Sequence, residues 1–294
     1  MLPREVVSRI RQLQIRAKRA VEDLLGGEYH SVFKGVGVAF EEVREYQPGD
    51  DVRSIDWNVT ARMGHPFIKR FGEDRELTVM LLVDLSGSHQ FGTQRHEKHE
   101  VIAELAALLA FSAISNNDKV GLIAFTDRVE RFVPPRKGIR HVLRLIRDVL
   151  FYQPAHRGTA LRAALDYLNH VLHRRAIVFL LSDFLDRDYE KALKQTGKRH
   201  DLIAVRVFDP REEELPAVGL VRLEDAETGE QVLLDTLSRR VRAAYADEAR
   251  RRREQIRQTM RSAGVDLIEA STDGTHLESL IRFFRVRERR LRRR

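Results

Sequence analysis

Five short runs of almost uninterrupted apolar residues recur after residue 76: LTVMLLV (77–83), KVGLIAFT (119–126), AIVFLLS (176–182), LIAVRVF (202–208) and VDLIEAS (265–271). A strand with one wet face alternates apolar and polar residues, so a run without alternation reads as a strand buried on both faces. The stretches between the runs have helical spacing. Residues 98–115 are apolar almost all round, which predicts a deeply packed helix. Ile139, Val142, Leu143, Ile146, Val149 and Leu150 form one apolar stripe, and Leu161, Ala164, Leu165, Leu168, Val171 and Leu172 another. A long Arg-rich helix is expected at about 237–263 and a closing helix at 276–291. Strands separated by crossover helices pair in parallel, so the prediction is an α/β fold with a largely parallel sheet and helices on both faces. RVERFV (128–133) reads as a hairpin partner of the second strand. Residues 219–236, with the turn Glu227-Thr228-Gly229-Glu230, read as a hairpin insertion within a domain spanning 77–290.

Upstream, residues 1–27 are expected to hold an amphipathic helix, with Val6, Val7, Ile10, Leu13, Ala17, Val21, Leu24 and Leu25 on one face and Gly26-Gly27 ending it. Residues 28–76 have a β-rich texture, with VGVAFEEV, PFIKRF and the turn signal Gln47-Pro48-Gly49-Asp50. The N-terminal segment is interrupted by charges every few positions, so it offers no apolar core of signal-peptide length, and no run approaches the roughly 18 apolar residues of a membrane span. The expectation is a cytoplasmic protein that does not span a membrane. Cysteine is absent, which excludes disulfides, thiolate metal sites and a cysteine nucleophile. The formal charge is +8, but residues 285–294 (RVRERRLRRR) carry a net +6, so the basicity is mostly a tail. The expected state of that tail is a solvated, frayed helix end. A contact with RNA, acidic lipid or an acidic partner is the alternative.

In a sheet of this kind ligands gather at the carboxyl ends of the strands. The first strand is followed by Asp84-Leu85-Ser86-Gly87-Ser88, three oxygen-bearing side chains at every second position, with Gly87 expected to let the backbone turn tightly. Gly158-Thr159 precedes the helix at 160–172, and Asp183 follows the strand at 176–182. Hydroxyls and carboxylates are hard donors that match Mg²⁺ or Mn²⁺ and suit Zn²⁺ or copper poorly. Each residue also has a plain structural reading. Ser86 and Ser88 can close turns, Thr159 can be an N-cap, and Asp183 can cap a helix.

Asp-x-Ser-x-Ser after the first strand, a distant Thr and an Asp after a later strand resemble the metal-ion-dependent adhesion site of von Willebrand A domains. The resemblance implies that Ser86 and Ser88 bind the cation directly and Thr159 directly or through water. It implies that Asp84 and Asp183 act largely through water or hydrogen bonds. Two carboxylates that need not touch the ion leave it electron-poor, so a partner protein's Asp or Glu is the expected further ligand. A second stretch, Glu42 to Trp57 followed by Ala61-Arg62, resembles the bacterial "domain of unknown function 58" proteins. That resemblance implies a MoxR-type AAA+ ATPase as partner and a role in assembling or activating other proteins. Within the stretch, Arg44, Arg53 and Arg62 interleave with Asp50, Asp51 and Asp56, a pattern that allows bidentate pairs. Trp57 is the single tryptophan and an expected anchor for the segment; Tyr46 belongs to the same signature. The stretch reads either as an ion-pair lattice or as a docking surface.

Other chemistries fit less well. A haloacid-dehalogenase-type Asp-x-Asp has Ser86 in place of its second Asp, a serine-hydrolase Gly-x-Ser-x-Gly is absent around Ser86, and there is no Gly-x-x-x-x-Gly-Lys-Ser/Thr loop. His89, His96 and His99 read as surface histidines, with a histidine metal site as the alternative. Few aromatic residues accompany the Arg tail, so nucleic acid is not expected as a ligand. The expected function is cation-dependent protein binding without catalysis. A metal-dependent, phosphatase-like hydrolase and an RNA- or membrane-surface-binding protein are the alternatives.

Overall fold

The computed structural model describes residues 10–16, 32, 39–72, 76–93 and 96–292. The chain forms two compact units, residues 33–77 and residues 1–32 with 78–294. Residues 10–16 are helical, and the rest of the helix expected over 1–27, including its glycine stop, lies outside the described residues.

In the smaller unit, strand β1 (Ala39–Glu45) pairs antiparallel with β2 (Phe67–Gly72), and helix α1 (Trp57–Met63) lies between them in sequence. Among the described residues, one of the expected arginine–aspartate pairs is seen, Arg44 with Asp50. Arg44 Nη2 makes a single 2.7 Å contact with Asp50 Oδ1, while its Nη1 donates to the Glu45 carbonyl. That guanidinium, with the Gln47 amide, holds the Asp50 carboxyl below the usual aspartate range. Asp51 accepts the Arg53 amide at 2.9 Å, and Asp56 accepts the Asn58 and Val59 amides at the start of α1. The reason is distance along the chain: a short carboxylate two residues before a helical turn finds backbone donors sooner than a remote guanidinium. Arg53 and Arg62 are exposed and Tyr46 is half-buried. Trp57, expected as an anchor, is 67% exposed.

The larger unit is built on a six-stranded sheet. Its strands are β3 (Thr78–Asp84), β4 (Lys119–Phe125), β5 (Val129–Arg136), β6 (Ile177–Ser182), β7 (Asp201–Phe208) and β10 (Asp266–Ser271). They lie in the order β10-β7-β6-β3-β4-β5, all parallel except the edge hairpin β4–β5. Counted within the sheet this is the doubly wound order 3-2-1-4-5-6. Every residue of β3 and β4 after the first is buried, as uniformly apolar runs require. Helices α2 (Lys98–Ser115), α3 (Ile139–Phe151) and α7 (His276–Arg292) pack together on one face. Helices α4 (Leu161–Val171), α5 (Glu190–Arg199) and α6 (Arg239–Ala263) cover the other. Every residue of α2 from Val101 to Ala113 is buried, Glu104 included, and Glu104 meets His276 at 3.2 Å. The insertion is a hairpin of β8 (Leu220–Glu224) and β9 (Gln231–Asp235). Among the described residues no helix is long and apolar enough to cross a membrane.

The basic segment differs from its expected frayed state. Helix α7 runs to Arg292, and Arg287, only 14% exposed, bridges Asp201 and Asp266 at the starts of β7 and β10. Arg290 adds a contact to Asp266 at 3.3 Å. Part of the tail's charge is therefore spent inside the fold. Replacing Arg287 by alanine is expected to lower stability by about 1–2 kcal/mol, with the loss smaller in high salt. Urea unfolding of both proteins checks this, and superimposable midpoints at low salt would contradict it.

Candidate metal centre at the sheet's switch point

Between β3 and β6 the direction of winding reverses: the chain leaves β3 for α2 on one face and leaves β6 for α5 on the other. In sheets wound this way the departing segments diverge at such a point, and ligands gather outside the strand ends there. Asp84 is the last residue of β3, and Asp183 follows the last residue of β6. Both are buried, and with buried His89 they form a group whose ligand-type atoms lie within 4.8 Å of one another. Such a group can hold a metal ion.

Each carboxylate is already committed to the protein. Asp84 Oδ1 accepts the Ser86 amide at 2.9 Å, and its Oδ2 accepts the Ser182 hydroxyl at 2.6 Å. Asp183 Oδ1 accepts the Leu185 amide at 3.2 Å, and its Oδ2 takes the Lys98 ammonium at 3.0 Å. Burial raises the Asp183 pKa, but Lys98, His89 and the Ser88 hydroxyl outweigh it and hold the carboxyl far below the usual range. Phe184, the next residue, has φ +60° with its ring buried. A bulky residue rarely adopts that left-handed backbone, and strain of this kind gathers at functional sites.

The hydroxyls are arranged differently. Ser86 Oγ and Ser88 Oγ lie 3.1 Å apart on a turn of 3-10 helix that begins at Gly87. Gly87 is absent from the left-handed region, so the turn itself does not demand glycine. The neighbours do: a Cβ there would lie 2.6 Å from the Ala226 carbonyl oxygen and 3.5 Å from the Arg157 side chain. The Gly87 amide also donates to the Arg157 carbonyl at 2.8 Å, which joins the Ser86–Ser88 turn to the loop carrying Thr159. Thr159 is not the N-cap of α4. That position belongs to Ala160, and Asp186 accepts the Leu161 amide instead. Asp183 likewise stands apart from α5, whose N-cap is Tyr189.

Four charged groups at this rim escape a reading of the sequence. His89 is 1% exposed, so the expectation of a surface histidine fails for it. Its Nε2 lies 3.2 Å from Asp84 Oδ2 but off the hydrogen-bonding direction, and both ring nitrogens are buried without a hydrogen-bond partner. Burial lowers the His89 pKa, yet Asp84 and then Asp183 raise it more. Lys98 is fully buried between Asp183 and Glu212, whose Oε1 lies 2.6 Å from Nζ. Burial pulls its pKa down, and the two carboxylates more than offset this. Glu227, at the tip of the β8–β9 hairpin, accepts the Thr159 hydroxyl at 2.6 Å. Burial, Asp183 and Asp84 together push its pKa up.

The donor set fits a hard cation. Metal–oxygen bonds of about 2.1 Å at right angles give an edge of roughly 3 Å, the separation of the two serine hydroxyls. Asp84, Asp183, Glu212 and Glu227 carry four negative charges against Lys98 and at most one on His89, so the rim has charge left for a divalent ion.

The family model described as "Protein of unknown function DUF58" matches residues 42–255. The chain is 33% identical to "Uncharacterized protein Rv1480" of Mycobacterium tuberculosis over 288 residues, covering 97% of this chain and 90% of that one. Similar solved structures include an aerotolerance-related membrane protein from Bacteroides fragilis (TM-score 0.48, 15% identity, 71% of this chain and 99% of that chain). They also include the SpRpn10 VWA domain (TM-score 0.40, 13% identity, 70% and 94%).

Proposed function

We propose, for a chain that belongs to the DUF58 family of proteins of unknown function, that it binds a protein partner through a divalent cation and carries out no chemistry on it. The observation that carries this reading is the pair of serine hydroxyls 3.1 Å apart beside two buried, hydrogen-bonded aspartates at the sheet's switch point. Ser86, Ser88 and Thr159 would hold Mg²⁺ or Mn²⁺ directly or through water. Asp84 and Asp183 would orient the loop and balance its charge from outside. A bound cation would supply Lewis acidity, the capacity to take an anionic oxygen from outside. Neutral hydroxyls leave that capacity almost undiminished, which suits recognition of an Asp or Glu side chain. Both aspartates are occupied as acceptors, so neither is poised as a general base. The family resemblance implies a MoxR-type AAA+ ATPase as the partner class and assembly or activation of other proteins as the setting.

The test is calorimetry of Mn²⁺ binding with the full chain, alongside the double variant Ser86→Ala/Ser88→Ala. Loss of both hydroxyls is expected to weaken binding by at least about 100-fold, since each ligand or its support contributes about 10- to 100-fold. The variant should keep the wild-type circular dichroism spectrum. Equal Mn²⁺ affinity in the two proteins would refute the site, and steady turnover of a phosphate ester in the presence of Mg²⁺ would refute the non-catalytic role.

A further inference from the structure

A hairpin of two short strands is marginal on its own and needs something to rest on. The β8–β9 hairpin leaves Leu220, Val232 and Leu233 exposed, yet its tip is tightly built. Asp225 Oδ1 accepts the Glu227 and Thr228 amides, both at 2.9 Å, and Gly229 N donates to the Asp225 carbonyl at 2.8 Å. That tip sits on the metal loop. The Ala226 carbonyl fills the space a side chain at Gly87 would need, and Glu227 Oε1 meets the Thr159 hydroxyl. Its other oxygen, Oε2, has no hydrogen-bond partner among the described residues.

Glu227 therefore differs from Asp84 and Asp183. Each oxygen of Asp84 and Asp183 already accepts a hydrogen bond from the protein, whereas Glu227, exposed at the hairpin tip, holds Thr159 with one oxygen and keeps the other open. Beside Asp84, the buried ring of His89 has no hydrogen-bond partner at either nitrogen, so the aspartate side of the rim is itself short of a polar partner.

We propose that Glu227 is a ligand the chain itself supplies to the cation, so that the β8–β9 hairpin closes the face through which a partner's carboxylate would enter. This rests on the cation reading above and deepens it. The hairpin is a plug in cis: a partner gains access by displacing Glu227 with its own acidic side chain. The contact between Ala226 and Gly87 positions the tip, and only the Glu227 side chain competes for the ion.

The experiment compares the full-length wild type with Glu227→Ala and with Glu230→Ala, a change on the same turn. Mn²⁺ is the probe, read by affinity, by water-proton relaxation for its bound waters, and by amide hydrogen exchange of residues 220–235. In the wild type, Mn²⁺ is expected to slow exchange in the hairpin. Glu227→Ala should lose that protection, bind Mn²⁺ at least about tenfold more weakly, and gain about one metal-bound water. Glu230→Ala should behave as wild type. If the wild type binds Mn²⁺ and Glu227→Ala matches it in affinity and water number, the plug is refuted and the metal reading stands. If the wild type binds no Mn²⁺, both fall.

Discussion

Replacing Lys98 by methionine is expected to lower the unfolding free energy by about 3–5 kcal/mol, the usual cost of removing one partner from a buried charge pair. In a domain of this size that corresponds to a fall in Tm of roughly 10–15 °C. The side chain is fully buried, and its ammonium is held by Asp183 at 3.0 Å and Glu212 at 2.6 Å. Methionine keeps the apolar stem, so the loss reports charge rather than a cavity. Asp183, 2% exposed, would be left as an anion without its strongest counter-charge. Adding Asp183→Asn to Lys98→Met is expected to recover part of the loss, because a neutral amide has less need of a counter-ion. Urea unfolding at neutral pH, with m-values compared, measures both effects. A Lys98→Met protein within about 1 kcal/mol of wild type would mean that water, not Lys98, satisfies Asp183.

Much of the fold was legible because its strands are uniformly apolar. LTVMLLV and AIVFLLS admit few places other than the middle of a two-sided sheet, and they became adjacent central strands. Helix α5 was harder to see: EKALKQTGKR buries only Ala192, Leu193 and Thr196, too few for a clear stripe. At the rim, Asp84, Ser86 and Ser88 could be read together because they share five residues of chain. Lys98 could not, since a lysine opening a helix ordinarily faces water, and its partner Glu212 is 114 residues away. Glu227 could be placed in a turn but not on Thr159, because that contact depends on how the insertion folds back. His89 carried one readable signal, its place directly after Ser88 in the same tight loop. The arginines failed in the opposite sense: Arg287, read as part of a frayed end, is anchored because Asp201 and Asp266 begin neighbouring strands beneath it.

Asp209→Asn is expected to cost about 2–4 kcal/mol at pH 7, from weakened charge-assisted hydrogen bonds and one mispaired buried group. Asp209 is fully buried at the end of β7. It accepts from Thr93 N at 2.9 Å, Thr93 Oγ1 at 2.6 Å, Arg211 N at 2.8 Å and Thr272 Oγ1 at 2.7 Å. Burial raises its pKa, but these donors, Thr93 foremost, bring it below the ordinary aspartate value. The unfolded chain titrates near about 3.9. A carboxyl depressed in the folded state stabilises the protein fully above that pH, and the benefit fades as the pH falls toward the folded value. The stability gap between wild type and Asp209→Asn should therefore narrow from about pH 5 downward, while the other carboxylates cancel in the comparison. A gap independent of pH would show that Asp209 contributes through shape alone. The residue also bears on the rim, since Asp209 caps the 3-10 turn Pro210–Glu212 and its amide donates to Glu212 Oε2 at 3.0 Å, while Glu212 Oε1 holds Lys98. Loosening Asp209 should misplace Glu212 and with it the ammonium that steadies Asp183. The double variant Asp209→Asn/Lys98→Met is then expected to lose less than the sum of the two single losses, by more than about 0.5 kcal/mol. Strict additivity would break the relay from Asp209 through Glu212 to the buried lysine.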